Sequence, residues 1–303
     1  MWGDPNSASK YAKYNDVLEA DDVIWKQTID FLPSQGINTV LIDVGDAIQY
    51  ESHPEISITG AWTKDKLKNE LNRMRAMGLT PIPKLNFSAA HDAWLKEYSR
   101  MVSTPIYYQV CEDIIKEVAE VFDYPEYMHL GLDEEDYAGQ QDWQSVTIRQ
   151  HDLWWHDAYF LFDICERLGM RPWVWADRCW NHKEEYLAKM PKSVLQSNWA
   201  YNRIRYNADG TYASVSYQTY LALEEAGFEQ VPTSSCCSFR SNSLETMQLG
   251  KAHITQERLL GYMTAPWYRT LPKWRFGLLH DALQFGEAKK EVYPEDKENK
   301  MEA

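Results

Sequence analysis

Apolar residues in this chain fall into two kinds of block that alternate almost from end to end. Short, dense runs such as Ile37-Asn-Thr-Val-Leu-Ile-Asp43 suit strands covered on both faces. Longer stretches repeat apolar positions every three or four residues and suit helices with one face on a core. The pattern predicts helices at about 21–34, 64–78, 153–168, 182–190, 217–227, 243–253 and 273–290. A further helix should start at Thr104-Pro105, with Thr as N-cap and Pro in the first turn. Its positions Tyr107, Val110, Cys111, Ile114, Val118 and Val121 keep helical spacing. Strands are predicted at 37–43, 80–87, 127–134, 171–177, 193–199, 229–235 and 259–264. Gly78, Gly169 and Gly227 stand where helices should stop.

Regular strand–helix alternation implies parallel strands with helical crossovers. The expected fold is α/β, a (β/α)8 TIM-type barrel whose first strand is truncated, with residues 1–4 as its exit. An open doubly wound sheet is the alternative, but it usually carries a Gly-rich phosphate turn after an early strand, and none is found. One barrel domain is expected over 1–290, followed by a charged tail at 291–303. A chain of 303 residues is long enough for one such core.

Charge narrows the partners. The formal net charge is −14, which argues against binding nucleic acid or an anionic membrane. No apolar run approaches ~18 residues, so no membrane span is expected. No signal peptide is visible at Met1, which suits a cytoplasmic protein or a trimmed secreted or periplasmic domain. The five cysteines are odd in number and lack C-x-x-C spacing, so reduced thiols are expected rather than a disulfide framework or a thiolate metal site. Nothing in the sequence points to an oligomeric state.

The chemistry concentrates at the ends of the predicted strands, where barrel enzymes carry their active groups. The stretch His129-Leu-Gly-Leu-Asp-Glu-Glu135 is the most informative, because an apolar strand ends in a cluster of acids. Crowded carboxylates drive their pKa values apart, so one can hold a proton while its neighbour stays charged. That pairing suits cleavage of an acetal such as a glycosidic bond. Other exits offer Asp43 and Asp46, then Asn86 and His91, then Trp175 and Asp177, then Trp199 and Tyr201, and finally Trp267. Acids mixed with Trp and Tyr rings describe a carbohydrate pocket better than a phosphate site. The seventh exit, Thr233-Ser-Ser-Cys-Cys-Ser-Phe239, has no carboxylate, so a double displacement lacks its second acid there. A substrate-assisted route needs only an acid and an orienting carboxylate side by side. In a regular strand Asp133 and Glu134 would face opposite ways, so the pleat must break between them.

On these residues the chain resembles the β-N-acetylhexosaminidases of glycoside hydrolase family 20. The family's H-x-G-G-D-E is matched by His129-Leu-Gly-Leu-Asp-Glu134. Its third strand and loop, ending in PGH, are matched by Pro81-Ile-Pro-Lys-Leu-Asn-Phe-Ser-Ala-Ala-His91. Asn38-Thr-Val-Leu-Ile-Asp43, Pro54-Glu55-Ile56 and Thr63 echo its second strand. The resemblance implies a barrel glycosidase removing a terminal β-linked N-acetylhexosamine by a substrate-assisted, retaining mechanism. It implies Glu134 as general acid/base and Asp133 as the group that orients the acetamido function. His91, His129 and Asp177 would support them, with Glu135 a rival for the acid. Trp175, Trp199 and Trp267 would wall the pocket, and the strand-exit positions add Tyr201, Asp43, Asp46 and Asn86 as candidate sugar contacts. No metal or cofactor is expected, since His91 and His129 lack the paired spacing of common zinc motifs.

The chain departs from that family where sugars are read. Leu132 replaces the second Gly, Lys84 replaces a Glu, and Trp267-Tyr-Arg269 replaces W-x-E. No counterpart is evident for the family's Tyr at the seventh exit or its Arg after the first strand. Two alternatives follow: a glycosidase for a different sugar on the same barrel, or a non-catalytic carbohydrate-binding barrel.

Overall fold

The structure, a computed structural model, describes residues 16–140 and 146–294. The expected first-strand exit at 1–4 and residues 295–303 of the charged tail lie outside them. Along the chain the elements run α1 (Asp22–Phe31), β1 (Thr39–Asp43), α2 (Lys64–Ala76), β2 (Thr80–Lys84), α3 (Pro105–Val121), β3 (Tyr127–His129) and α4 (Tyr137–Gln140). There follow α5 (Asp152–Arg167), β4 (Arg171–Trp175), α6 (Arg178–Asn181), α7 (Lys183–Lys189) and β5 (Leu195–Ser197). The last are α8 (Val215–Glu225), β6 (Thr233–Ser234), α9 (Asn242–His253), β7 (Met263–Thr264) and α10 (Arg275–Val292). The chain is α/β with parallel strands, as the alternation implied. Its described residues divide into two compact units, one drawn from 16–18 and 39–178, the other from 19–38 and 179–294.

In the first unit β1 to β4 pair in sequence order, all parallel. The register sets Asp43 opposite Lys84, Lys84 opposite His129, and His129 opposite Trp173. The ends of β1, β2 and β3 thus lie in one row, with β4 running two residues further, which is why their loops can share a site. Pro81 and Pro83 explain a gap in the ladder. Alternate residues of a parallel strand bond to opposite neighbours, and the Lys84 carbonyl accepts from Val44 of the β1 side. The residues between face β3, and two of them are prolines without an N–H. Pairing with β3 therefore starts only at Leu85, whose N–H donates to the His129 carbonyl at 2.9 Å. Helix α3 begins as read, with the Thr104 hydroxyl accepting the Tyr107 N–H at 3.3 Å. All six of its predicted apolar positions are buried.

In the second unit β6 and β7 are parallel, and bridges join Gln196 to Gln230 and Trp199 to Thr233. The regular strands are shorter than the apolar runs predicted. The pairing itself continues: Val231 N–H donates to Gln196 O at 2.9 Å, and Ala265 N–H to Ser234 O at 2.9 Å. Pro232 has no N–H to give, although its carbonyl accepts from Met263 at 3.0 Å. The interior of these strands is polar, with Gln196, Ser197, Asn198, Gln230, Thr233 and Ser234 all buried. Tyr186 and Tyr220 hydroxyls satisfy part of it, bonding the Gln196 side chain and the Asn198 carbonyl. Helix α10 buries Phe285, Ala288 and Val292 with Met247. Its Gly286 lies so close to Gln35 that an added Cβ would sit 2.7 Å from the Gln35 carbonyl oxygen.

Candidate active site

Strand β3 stops at His129, well short of where the apolar run suggested. The next residues leave the pleat by left-handed backbone, with φ +73 at Gly131, +69 at Leu132 and +55 at Glu134. Gly131 is required twice over. Its φ suits glycine, and a Cβ there would fall 2.0 Å from the Asn86 side-chain oxygen. Leu132 holds the same handedness without that freedom, at the position where the resembled family has its second Gly. Side chains beyond Leu132 no longer alternate between faces, so Asp133 and Glu134 reach the same neighbour.

That neighbour is His91, on the loop after β2. Its Nε2 lies 3.0 Å from Glu134 Oε2 and 3.3 Å from Asp133 Oδ2. Asp133 is buried, and its other oxygen accepts from the Asn86 amide at 2.8 Å. Asn86 is fixed in turn, accepting from Ser88 N–H at 3.0 Å and Leu132 N–H at 3.3 Å. The Ser88 hydroxyl donates to the Asp133 carbonyl. Glu134 donates its N–H to Asp177 Oδ2 at 2.9 Å. Its side chain is 47% exposed, so a ligand can reach it.

Burial works against charge on both members of the inner pair, but their mutual attraction wins. The Asp133 and Glu134 carboxylates push His91 up to about 10. The His91 charge, with help from Lys84 and Asn86, holds Asp133 well below the usual carboxylate range. Asp133 is thus a fixed anion, while Glu134 is the accessible acid beside it.

Several expected site residues do other work. Glu135 is no rival for the acid. Its side chain is 2% exposed, ion-paired with Arg149, and accepts the Ala89 N–H at 2.8 Å. His129 touches neither acid: it is fully buried, its Nδ1 accepts the Gly131 N–H at 3.1 Å, and its ring packs edge-on to Trp175. Burial and the nearby Lys84 charge hold it well below its ordinary pKa, hence neutral. Trp175 is itself buried. Asn86 orients Asp133 rather than a sugar. Asp43 is paired with Lys84, the residue that replaces the family's Glu. Asp46 is fully buried, and burial pushes it up to about 8. It is an interior carboxyl, closed off from solvent.

Arg149 was invisible in the sequence, a lone base in a polar loop. It is 2% exposed, and besides Glu135 it bonds Asp157 at 3.1 Å and the Phe87 carbonyl at 2.9 Å. It ties the loop after β2 to the loop after β3. No spacing rule would find it, because its partners come from separate stretches of the chain.

In the second unit Trp199 stacks on Tyr201, with centroids 5.1 Å apart and planes 22° apart. Trp180 lies 4.4 Å from Trp199, and Trp267 meets Tyr201 at 6.3 Å. Trp267 is 46% exposed and left-handed, at φ +53. The seventh exit has a carboxylate after all, delivered from α10. Asp281 accepts from Cys236 N–H at 2.8 Å and from the Thr264 hydroxyl at 2.6 Å. It is buried and bonded through both oxygens, which suits bracing β6 and β7 rather than attacking a sugar.

Solved structures share this fold. One is a chitobiase from Flavobacterium johnsoniae of glycoside hydrolase family 20, at TM-score 0.63 and 15% identity, covering 92% of this chain and 50% of that one. Another is a β-N-acetylhexosaminidase from Bacteroides fragilis, at TM-score 0.62 and 13% identity, covering 98% and 69%. A Streptomyces plicatus β-hexosaminidase, solved with its product GlcNAc, matches at TM-score 0.63 and 14% identity, covering 87% and 60%. The chain spans half the length of the chitobiase. No protein-family model matches the sequence, and no curated protein matches it.

Proposed function

We propose that the chain is a glycoside hydrolase built on a (β/α)8 barrel that releases a terminal β-linked N-acetylhexosamine. The observation that carries this reading is the convergence of buried Asp133 and exposed Glu134 on one imidazole, 3.3 and 3.0 Å away. Glu134, as the accessible acid, protonates the departing glycosidic oxygen and later takes a proton from water. Asp133, held charged by His91 and Asn86, accepts a hydrogen bond from the substrate's acetamido N–H. That turns the acetamido oxygen toward the anomeric carbon and steadies the positive charge the ring acquires. The leaving bond breaks as the acetamido oxygen bonds to carbon, and water reopens the cyclic intermediate with retention. His91 positions both acids, and Asp177 fixes the peptide of Glu134. The Trp199, Tyr201 and Trp267 rings offer flat faces of the kind pyranoses stack on.

A panel of aryl glycosides tests the substrate class. N-acetyl-β-glucosaminide or N-acetyl-β-galactosaminide should be cleaved, and the matching glycosides without the acetamido group should not. Equal cleavage of both kinds would exclude obligatory substrate assistance and favour the reading with a different sugar. Sugar binding in calorimetry with no turnover of any substrate would favour the non-catalytic barrel.

A further inference from the structure

The atoms that face one another at His91, Asp133 and Glu134 fit a second occupant. Their ligand-capable atoms all lie within 4.8 Å of one another. Zinc bound tetrahedrally at about 2.0–2.2 Å sets its N and O donors roughly 3.3 Å apart. The two separations from His91 Nε2, 3.0 and 3.3 Å, are close to that edge length. Glu134 is half exposed, so its carboxylate can swing to close the third edge of the triangle, which is no longer than 4.8 Å. The outer partners of a metal site are also present. Asn86 holds the Asp133 oxygen that points away, and Asp177 holds the Glu134 peptide. One imidazole with two carboxylates suits zinc, whereas magnesium and calcium prefer larger sets of oxygens. The solvent side of Glu134 leaves the fourth position for water.

We propose that a zinc ion binds at His91, Asp133 and Glu134, displacing to water the proton that His91 Nε2 shares with the two acids, and thereby inhibits the enzyme. The ion takes up the Glu134 lone pair that would carry the catalytic proton, and the Asp133 oxygen that would meet the acetamido group. Inhibition rests on the glycosidase reading; binding does not.

Titration calorimetry of the chelator-treated full chain with zinc chloride, and separately with magnesium chloride, measures the binding. Zinc should bind one ion per chain, and magnesium should give no heat. Glu134→Gln and His91→Asn should each weaken zinc by at least about tenfold, with circular dichroism confirming that they fold. Failure of the folded chain to take up zinc at about 1 mM, or unchanged affinity in a folded variant, overturns the site. Aryl-glycoside hydrolysis should fall over the same zinc range and return with EDTA. Hydrolysis unaffected at zinc saturation overturns the inhibition. Zinc uptake by a chain that cleaves no glycoside upholds the site and removes the hydrolase reading instead.

Discussion

At the scale of single residues, the acid pair depends on a few left-handed positions after β3. Gly131→Ala should lower stability by about 2–5 kcal/mol, from backbone strain at φ +73 and the overlap with Asn86. Urea unfolding checks this, and a change under ~0.5 kcal/mol would mean that the turn relaxes freely. At Leu132 strain and burial pull in opposite directions. A glycine there would relieve about 1 kcal/mol of strain. It would also empty the space of a buried leucine, which costs about 2–5 kcal/mol. Burial outweighs strain, so Leu132→Gly should destabilise despite restoring the residue the resembled family uses. A gain in unfolding midpoint would reverse that ordering. Asp133, Glu134 and His91 could be picked out from the sequence because their residue types and order are unusual for a packed strand end. What could not be read was the backbone handedness that aims them together.

Among elements, the loops after β2 and β3 act as one piece because Arg149 joins them. Arg149→Met would leave Glu135 and Asp157 as buried acids without their cation and should cost about 3–5 kcal/mol. Arg149→Lys should recover part of that, since it keeps the charge but not the forked geometry. Denaturant midpoints of the two variants measure it, and a loss below ~1 kcal/mol for Arg149→Met would show the clamp to be dispensable. Helices were legible element by element, since α3 buries the positions its spacing marked. The strands of the second unit were legible as runs but not as regular strands. Pro232 and a polar, side-chain-bonded interior break the ladder pattern there without ending the pairing. Asp281 escaped notice because an acid on a helix reads as solvated until its partners, Cys236 and Thr264, are known.

For the whole molecule, the site writes its charges into the pH dependence of stability. His91 is raised from 6.5 to about 10, so its stabilisation is complete below pH 6.5 and is lost as pH rises through 10. Asp133 is depressed, so its stabilisation is present above its ordinary value of 3.8 and lost as pH falls below that. Asp46 is raised to about 8, so it adds a decline between pH 3.8 and 8. Urea unfolding should therefore show stability falling from pH 6.5 to 10, and Asp46→Asn should flatten the part below pH 8. A stability that rises with pH across this range would contradict the charge assignment. The parallel α/β layout was legible from alternation alone, because strand–helix order dictates parallel crossovers. The sugar-reading residues were not, since Asp43, Asp46 and Asn86 sit at strand ends yet are taken up by Lys84, burial and Asp133. The decisive measurement is the activity of Glu134→Gln. The variant should fold like the wild type and lose about 10²–10⁴-fold in kcat/KM toward an aryl N-acetyl-β-glucosaminide. Turnover within a few-fold of the wild type would contradict the assignment of Glu134 as the acid.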